Sequence, residues 1–321
     1  MNDTTVKSTF SQRSPWYQLV TSLLVVVGMG TLLLILVMIP GLSLFDFDST
    51  LIRNGNYDAL KEDDINFLRY LLLSQDICIF IIPGIYLLSK LNKVVSLSRI
   101  YYSRPLLREA GLIILLMVCL APVIDITSQL NSAMHFPEWL SGMESWMAEK
   151  ENEANNLLNL IVASKTTSVL IFNLFLIAIL PAIGEEIIFR GVFQNIFQRL
   201  FRNDHFGIIV TAFLFSAIHM QFFGFIPRFI LGLALGYLYY YTGNLWMPVI
   251  AHFVNNTFAV VFNYISDGAD LAVKTEPIQW TQWILLPASI LIGTMIIAYF
   301  RRKCREPLSH VTEDTESSID K

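Results

Sequence analysis

Three short motifs along this chain carry side chains that could do chemistry together: Glu185-Glu186-x-x-x-Arg190, Phe215-x-x-x-His219 and His252-x-x-x-Asn256. The first stands directly behind the apolar run from Ser168 to Ile183. Adjacent carboxylates in that place are expensive, because lipid cannot solvate them. Glu186 and Arg190 lie four apart, acid before base, so on a helix they share a face and can pair. Glu185 points about 100° away from Glu186 and stays outside that pair. One carboxylate can therefore be held ionised while its neighbour is free to act as a base. His252 and Asn256, also four apart, share a face and can both donate hydrogen bonds.

Taken singly, each motif has a plain structural explanation. Glu186 with Arg190 could be a helix-end ion pair with a snorkelling arginine. His219 could be a packing residue, and His252 with Asn256 could hydrogen-bond one helix to another. Asp76 and Asp125 also fall within apolar runs, and helix-end or interhelical bonding suffices for them. The functional reading rests on the set, three motifs on three segments.

Those segments are membrane-grade. Of the 321 residues, 54% are hydrophobic and 15% charged, where a soluble domain carries about 25% charged residues. The sequence predicts an all-α polytopic membrane protein with about eight transmembrane helices. The spans are placed at Trp16–Ile39 (stopped at Pro40-Gly41), Phe67–Leu88, Ala110–Ile126, Thr167–Phe201, Gly207–Met220, Ile226–Tyr241, Leu245–Ile265 and Trp280–Phe300. Residues 1–16 read as a polar tail, 17–160 as N-terminal helices and loops, 161–265 as a catalytic core, 266–305 as a C-terminal helix and 306–321 as a disordered tail. The first run is too long for a signal-peptide core. The fourth, 35 residues or about 52 Å if helical, exceeds a hydrocarbon core of about 30 Å, so it must tilt, kink at Pro181 or project.

Loop charge sets the orientation. Acidic connections occupy 42–66 and the stretch after Ile126 that bears Glu138, Glu144, Glu149, Glu151 and Glu153, the second with Trp139 and Trp146 on a short interfacial amphipathic helix. Basic ones hold Lys90, Lys93, Arg99, Arg104 and Arg108, then Arg199 and Arg202, then Arg301 to Arg305. The positive-inside rule then puts both termini in the cytoplasm of a multi-pass inner (cytoplasmic) membrane protein. Counted from the cytoplasmic helix ends, Glu185 and His219 each lie roughly 20 Å deep, with His252 and Asn256 roughly 12 and 18 Å deep, compatible with one layer. Gly232-x-x-x-Gly236 reads as close helix packing. No internal repeat suggests a transporter built of inverted halves.

In this order on successive spans, the three motifs resemble those of the CPBP intramembrane protease family, named for CAAX proteases and bacteriocin-processing enzymes and also called Abi. That family includes the Ras-converting CAAX endopeptidase of eukaryotes. The resemblance covers about residues 165–265, and no motif residue departs from the pattern. It implies that Glu185 is the general base activating a water, that His219 helps to hold or activate that water, and that His252 and Asn256 stabilise the oxyanion. Glu186 and Arg190 would then position the helix and tune Glu185.

The chemistry is coherent. Neutral water is a poor nucleophile, and a carboxylate in a poorly hydrated cavity is a stronger base than one in bulk water. Donors aimed at a developing oxyanion contribute about 2.7–4 kcal/mol each. No cofactor is expected. Zinc held by Glu185, His219 and His252 is the mechanistic alternative, although no His-Glu-x-x-His occurs. Ser216, Cys78, Cys119 and Cys304 lack a paired base or metal-ligand spacing. Expected partners are a peptide or protein substrate at the membrane and the bilayer itself. Nucleic acid is not expected, for want of a basic–aromatic face. A non-catalytic binding or immunity protein, or a small transporter, is the alternative from another class.

Overall fold

A helix that is apolar around its whole circumference must sit inside other helices or in lipid, and this chain builds helices of both kinds. The structure is a computed structural model describing residues 10–45, 47, 49–53, 55, 57–91, 107–164, 166–266 and 280–303. Its long helices are α1 (Pro15–Leu44), α2 (Glu62–Leu91), α3 (Leu107–Ser132), α4 (Ser141–Val162), α5 (Thr167–Phe201), α6 (Asp204–Ala217), α7 (Phe225–Thr242), α8 (Trp246–Ile265) and α9 (Trp280–Lys303). No strand occurs among the described residues. The protein is an all-α membrane protein. By length and composition five helices can cross a membrane, namely α1, α2, α3, α5 and α9. The other four fall short of that measure because α4 carries four glutamates and a lysine, α6 has only 14 residues, α7 carries Arg228, and α8 carries His252 and three asparagines.

Helix α5 is the axis of the fold. Every residue from Gly184 to Gln198 is buried. One core packs Ile188, Val192 and Ile196 of α5 against Leu19 of α1, Leu87 of α2 and Phe215 of α6. A second core joins α3, α7, α8 and α9 through Ile113, Leu235, Ala251 and Phe300. By contrast α1 turns Leu24, Val27, Leu32 and Ile39 outward, the surface expected of a helix facing lipid tails.

Several expectations need correction. Pro40-Gly41 does not stop α1, which runs on to Leu44. The glycine is there for packing, since a Cβ on Gly41 would collide with the Tyr70 ring. The second acidic connection is mostly helix. Helix α3 continues to Ser132 and α4 extends over 22 residues, with Met147 and Glu151 buried and Met143 and Trp146 exposed. The first acidic connection holds a short helix at Ser49–Arg53, and α2 begins at Glu62. Lys93, Arg99, Arg104, Cys304 and the tail 306–321 lie outside the described residues.

Helix α5 is continuous over its 35 residues, but it is not uniform. Two π-helical stretches, Leu174–Ile179 and Ile187–Gln194, flank the α-helical turn Leu180–Glu186 that carries the carboxylates. Such i→i+5 widenings are rare and often mark functional sites.

Candidate active site

Glu186 is wholly buried, and so is Arg190. The i,i+4 pairing forms as the spacing predicts, with Arg190 Nη1 donating to Glu186 Oε1 at 2.7 Å. The rest of the guanidinium reaches α7, where Nη2 donates to Gly232 O at 3.0 Å. Its Cζ also sits 4.7 Å from the centre of the Phe215 ring. Burying this charge is tolerable only because a carboxylate, a carbonyl and an aromatic face all meet it.

The two glycines on α7 are more than spacers. Gly232 O accepts from Arg190, and one turn later Gly236 O accepts from Gln194 Nε2 at 3.1 Å. A Cβ at Gly232 would press to 3.1–3.2 Å on Ala212 and Phe215, and one at Gly236 to 2.8 Å on Ile208. Close packing is therefore correct, and it serves a two-rung polar ladder between α5 and α7. Asn195 adds a third link, its amide donating to Arg190 O, Gly191 O and the Tyr239 hydroxyl.

His252, on α8, turns its Nδ1 to Glu186 Oε1 at 3.0 Å. A carboxylate can only accept, so Nδ1 carries the hydrogen and, in the neutral ring, Nε2 is the acceptor. Glu186 thus orients His252 as well as pairing with Arg190. His219 lies two residues beyond the end of α6, in the turn that follows it. Its Nδ1 meets Phe215 O at 2.8 Å, which again places the hydrogen on Nδ1. Phe215 stands edge-on to both imidazoles, at 5.3 Å from His219 and 5.7 Å from His252.

Asn256 donates from Nδ2 to Ile177 O at 3.2 Å, and its Oδ1 accepts from Asn255. Ile177 is four residues before Pro181, which has no N–H to return to that carbonyl. The proline therefore leaves an acceptor on α5 that α8 uses as an anchor, about two turns before Glu185. One of the two Nδ2 hydrogens of Asn256 is committed there, and the other remains.

Glu185 is 8% exposed, and its buried Oε2 has no hydrogen-bond partner. His219, Arg228 and Asp76 all lie within electrostatic range of it. Beside it, Gly184 lets α2 approach so closely that a Cβ would lie 2.9 Å from Phe80 Cβ. Asp76 therefore belongs to the surroundings of Glu185, and the helix-end reading of it is too modest. Among the described residues, no three His, Cys, Asp or Glu side chains are grouped so as to hold a metal ion.

The turn that carries His219 is fixed from outside. Asn131 of α3 donates to Phe222 O at 3.0 Å and accepts from Ile226 N at 2.7 Å. Glu151 of α4 accepts from Phe223 N at 2.8 Å, and Asn155 accepts from Gln221 Nε2 at 3.3 Å. Arg228 closes the turn on its own helix by donating to Gln221 O and Oε1. Met220 takes a left-handed backbone conformation there, with φ 53°. None of these contacts follows from local spacing, since Asn131 and Ile226 are 95 residues apart.

The structure thus brings the seven motif residues to one region of the bundle's interior, as a carboxylate with an unpartnered oxygen, two oriented imidazoles and an anchored amide. Comparison with known proteins agrees on the segment. Residues 167–258 match the family described as type II CAAX prenyl endopeptidase Rce1-like. The uncharacterized protein YpbD of Bacillus subtilis is 31% identical over 86 residues, 26% of this chain and 41% of YpbD. The membrane-embedded CAAX protease MroQ of Staphylococcus aureus is 28% identical over 138 residues, 41% of this chain and 54% of MroQ. An uncharacterized 24.3 kDa protein of Escherichia coli is 29% identical over 113 residues, 34% of this chain and 52% of its own length. The chain spans about half or less of the length of these relatives. No solved structure matches it. The matched segment contains every residue of the three motifs, and over residues 167–258 this chain is similar to the Rce1-like type II CAAX prenyl endopeptidase family.

Proposed function

We propose that the protein is an intramembrane endopeptidase that hydrolyses a peptide bond with a water activated by Glu185. The observation that carries this reading is the contrast between the two adjacent glutamates. Glu186 Oε1 is shared by Arg190 and His252, whereas Glu185 makes no hydrogen bond or ion pair to any described residue, although each glutamate keeps a buried Oε2 without a partner. Glu185 takes a proton from water as its oxygen attacks the peptide carbonyl, and the proton then passes to the amine nitrogen as the C–N bond breaks. His219, through Nε2, helps to hold the water. Asn256 offers its second amide hydrogen to the oxyanion. His252 can join it only through a hydrogen on Nε2, because its Nδ1–H is committed to Glu186.

The substrate class suggested by the family and by the name of MroQ is a protein with a C-terminal CAAX sequence. The test is cleavage of a peptide library, CAAX-ended peptides included, by purified protein in detergent. Wild type is run beside Glu185→Gln, with and without a strong chelator. Cleavage lost in the variant and indifferent to chelator supports the glutamate mechanism. Cleavage abolished by chelator and restored by zinc assigns Glu185, His219 and His252 to a metal site. Full activity in Glu185→Gln overturns the proposal.

A further inference from the structure

On the other side of α7 from Arg190 lies an open-sided cavity of about 400 Å³ bounded by α3, α7 and α9. Its wall is almost entirely apolar, formed by Leu116 and Val123 of α3, Ala234 of α7, and Gly293 and Ile297 of α9. None of its lining residues contributes to the site described above. Small residues on α9 keep it open, while Ile296 and Phe300 of the same helix are buried in the core and hold that helix in place. A Cβ on Gly293 would make only an ordinary contact, 3.7 Å from Leu116 Cδ1. The space beside it is unfilled rather than tightly used.

One end of the cavity is apolar and the other is cationic. Arg301 itself lines it, Arg302 and Lys303 follow, and all three are exposed. Arg108 of α3 stands at the same end, its guanidinium 5.3 Å from the Tyr299 ring. Lys303 is neutralised by Glu109, but no carboxylate pairs with Arg301 or Arg302 among the described residues. From Ser289 to Arg301 the lining of α9 runs twelve residues, about 18 Å. One leaflet of hydrocarbon is about 15 Å deep. A slot of that length, apolar along its wall and doubly cationic at the level of the headgroups, matches one acyl chain with an anionic phosphate above it. Basic pockets between helices are a known mode of anionic-headgroup recognition.

We infer that the α3–α7–α9 cavity is a binding site for an anionic diacyl phospholipid, with one acyl chain in the cavity and the phosphate on Arg301 and Arg302. The probe is dioleoyl phosphatidylglycerol, with dioleoyl phosphatidylcholine as the comparison, added to the delipidated full-length protein in detergent. Native mass spectrometry counts bound lipid and thermal unfolding follows the stabilisation. Wild type is expected to hold one phosphatidylglycerol in preference to phosphatidylcholine. Arg301→Gln should weaken phosphatidylglycerol about fivefold and leave phosphatidylcholine unchanged. Gly293→Leu should fill the cavity and remove the bound phosphatidylglycerol. Leu291→Ala, exposed on α9 and outside the cavity, should bind as wild type does. Should Gly293→Leu not fold, Arg301→Gln decides alone. Equal binding of the two lipids, no retained phosphatidylglycerol, or wild-type phosphatidylglycerol affinity in Arg301→Gln overturns the inference.

Discussion

Glu185 and Glu186 are neighbours in sequence and opposites in bonding, and substitution should separate them. Glu185→Gln removes a charge whose buried oxygen has no hydrogen-bond partner, so unfolding should shift by less than about 1 kcal/mol while hydrolysis is lost. Glu186→Gln strips the carboxylate from a fully buried Arg190 and from His252. Breaking such a pair costs about 3–5 kcal/mol, because the remaining charge is left uncompensated. Expression level and thermal unfolding in detergent should both fall. Glu186→Gln combined with Arg190→Met should recover much of that loss without recovering activity, since His252 still lacks its orienting partner. Equal thermal shifts for the two single variants would refute this division of labour. The Glu186–Arg190 pair was legible because helical spacing dictates it. The Glu186–His252 contact was not, because it joins residues 66 apart and no local periodicity reports it. Asp76 was undervalued for the same reason: its neighbour is on another helix.

Among the elements, α5 was predicted at its full length, while its internal change of winding was not. Proline within a helix predicts a kink. In the structure Pro181 follows a π-helical stretch, and Asn256 of α8 donates to Ile177 O, the carbonyl that Pro181 cannot serve. Pro181→Ala supplies an N–H that competes for Ile177 O. Helix stability should hold or rise, since alanine is the better helix former, yet Asn256 should lose its anchor. Turnover should then drop roughly tenfold to a hundredfold, the scale of a misplaced catalytic group. Unchanged turnover would show that the Asn256–Ile177 bond does not position the amide. The turn after α6 makes a second case. Its register depends on Asn131 and Glu151, both of which fall in the second acidic connection of the sequence analysis, where no periodicity points to that turn. Asn131→Ala removes both bonds that one amide makes to that turn, so it should lower kcat more than it raises KM, while Asn131→Asp, which keeps the acceptor for Ile226 N, should restore part of the loss. A change confined to thermal stability would reduce Asn131 to a scaffold residue.

At the scale of the whole molecule, loop charge and side-chain contacts speak to the same alternation. Gln18, at the start of α1, accepts from Arg199 at the end of α5. Glu109, at the start of α3, pairs with Lys303 at the end of α9, and Asp204 of α6 accepts from Tyr240 of α7. At the other end, Asn131 of α3 meets the α6–α7 turn. Ile161 of α4 accepts there from Arg69 of α2 and Asn173 of α5. Each set gathers the helix ends that eight alternating spans would place on one side. The contacts do not say which side is which, and the positive-inside rule does. In a Cys304→Ser background, with Cys78 and Cys119 buried, single cysteines can be placed at Trp139, 80% exposed, and at Arg302, also exposed. A membrane-impermeant maleimide applied to intact cells should label Trp139→Cys at once, and Arg302→Cys only after the membrane is opened. The reverse pattern would invert the orientation and put the α4-clamped turn, with its access to His219, on the cytoplasmic side. Labelling of both from outside would break the even count of spans, and with it the assignment of α6, α7 and α8 as crossings.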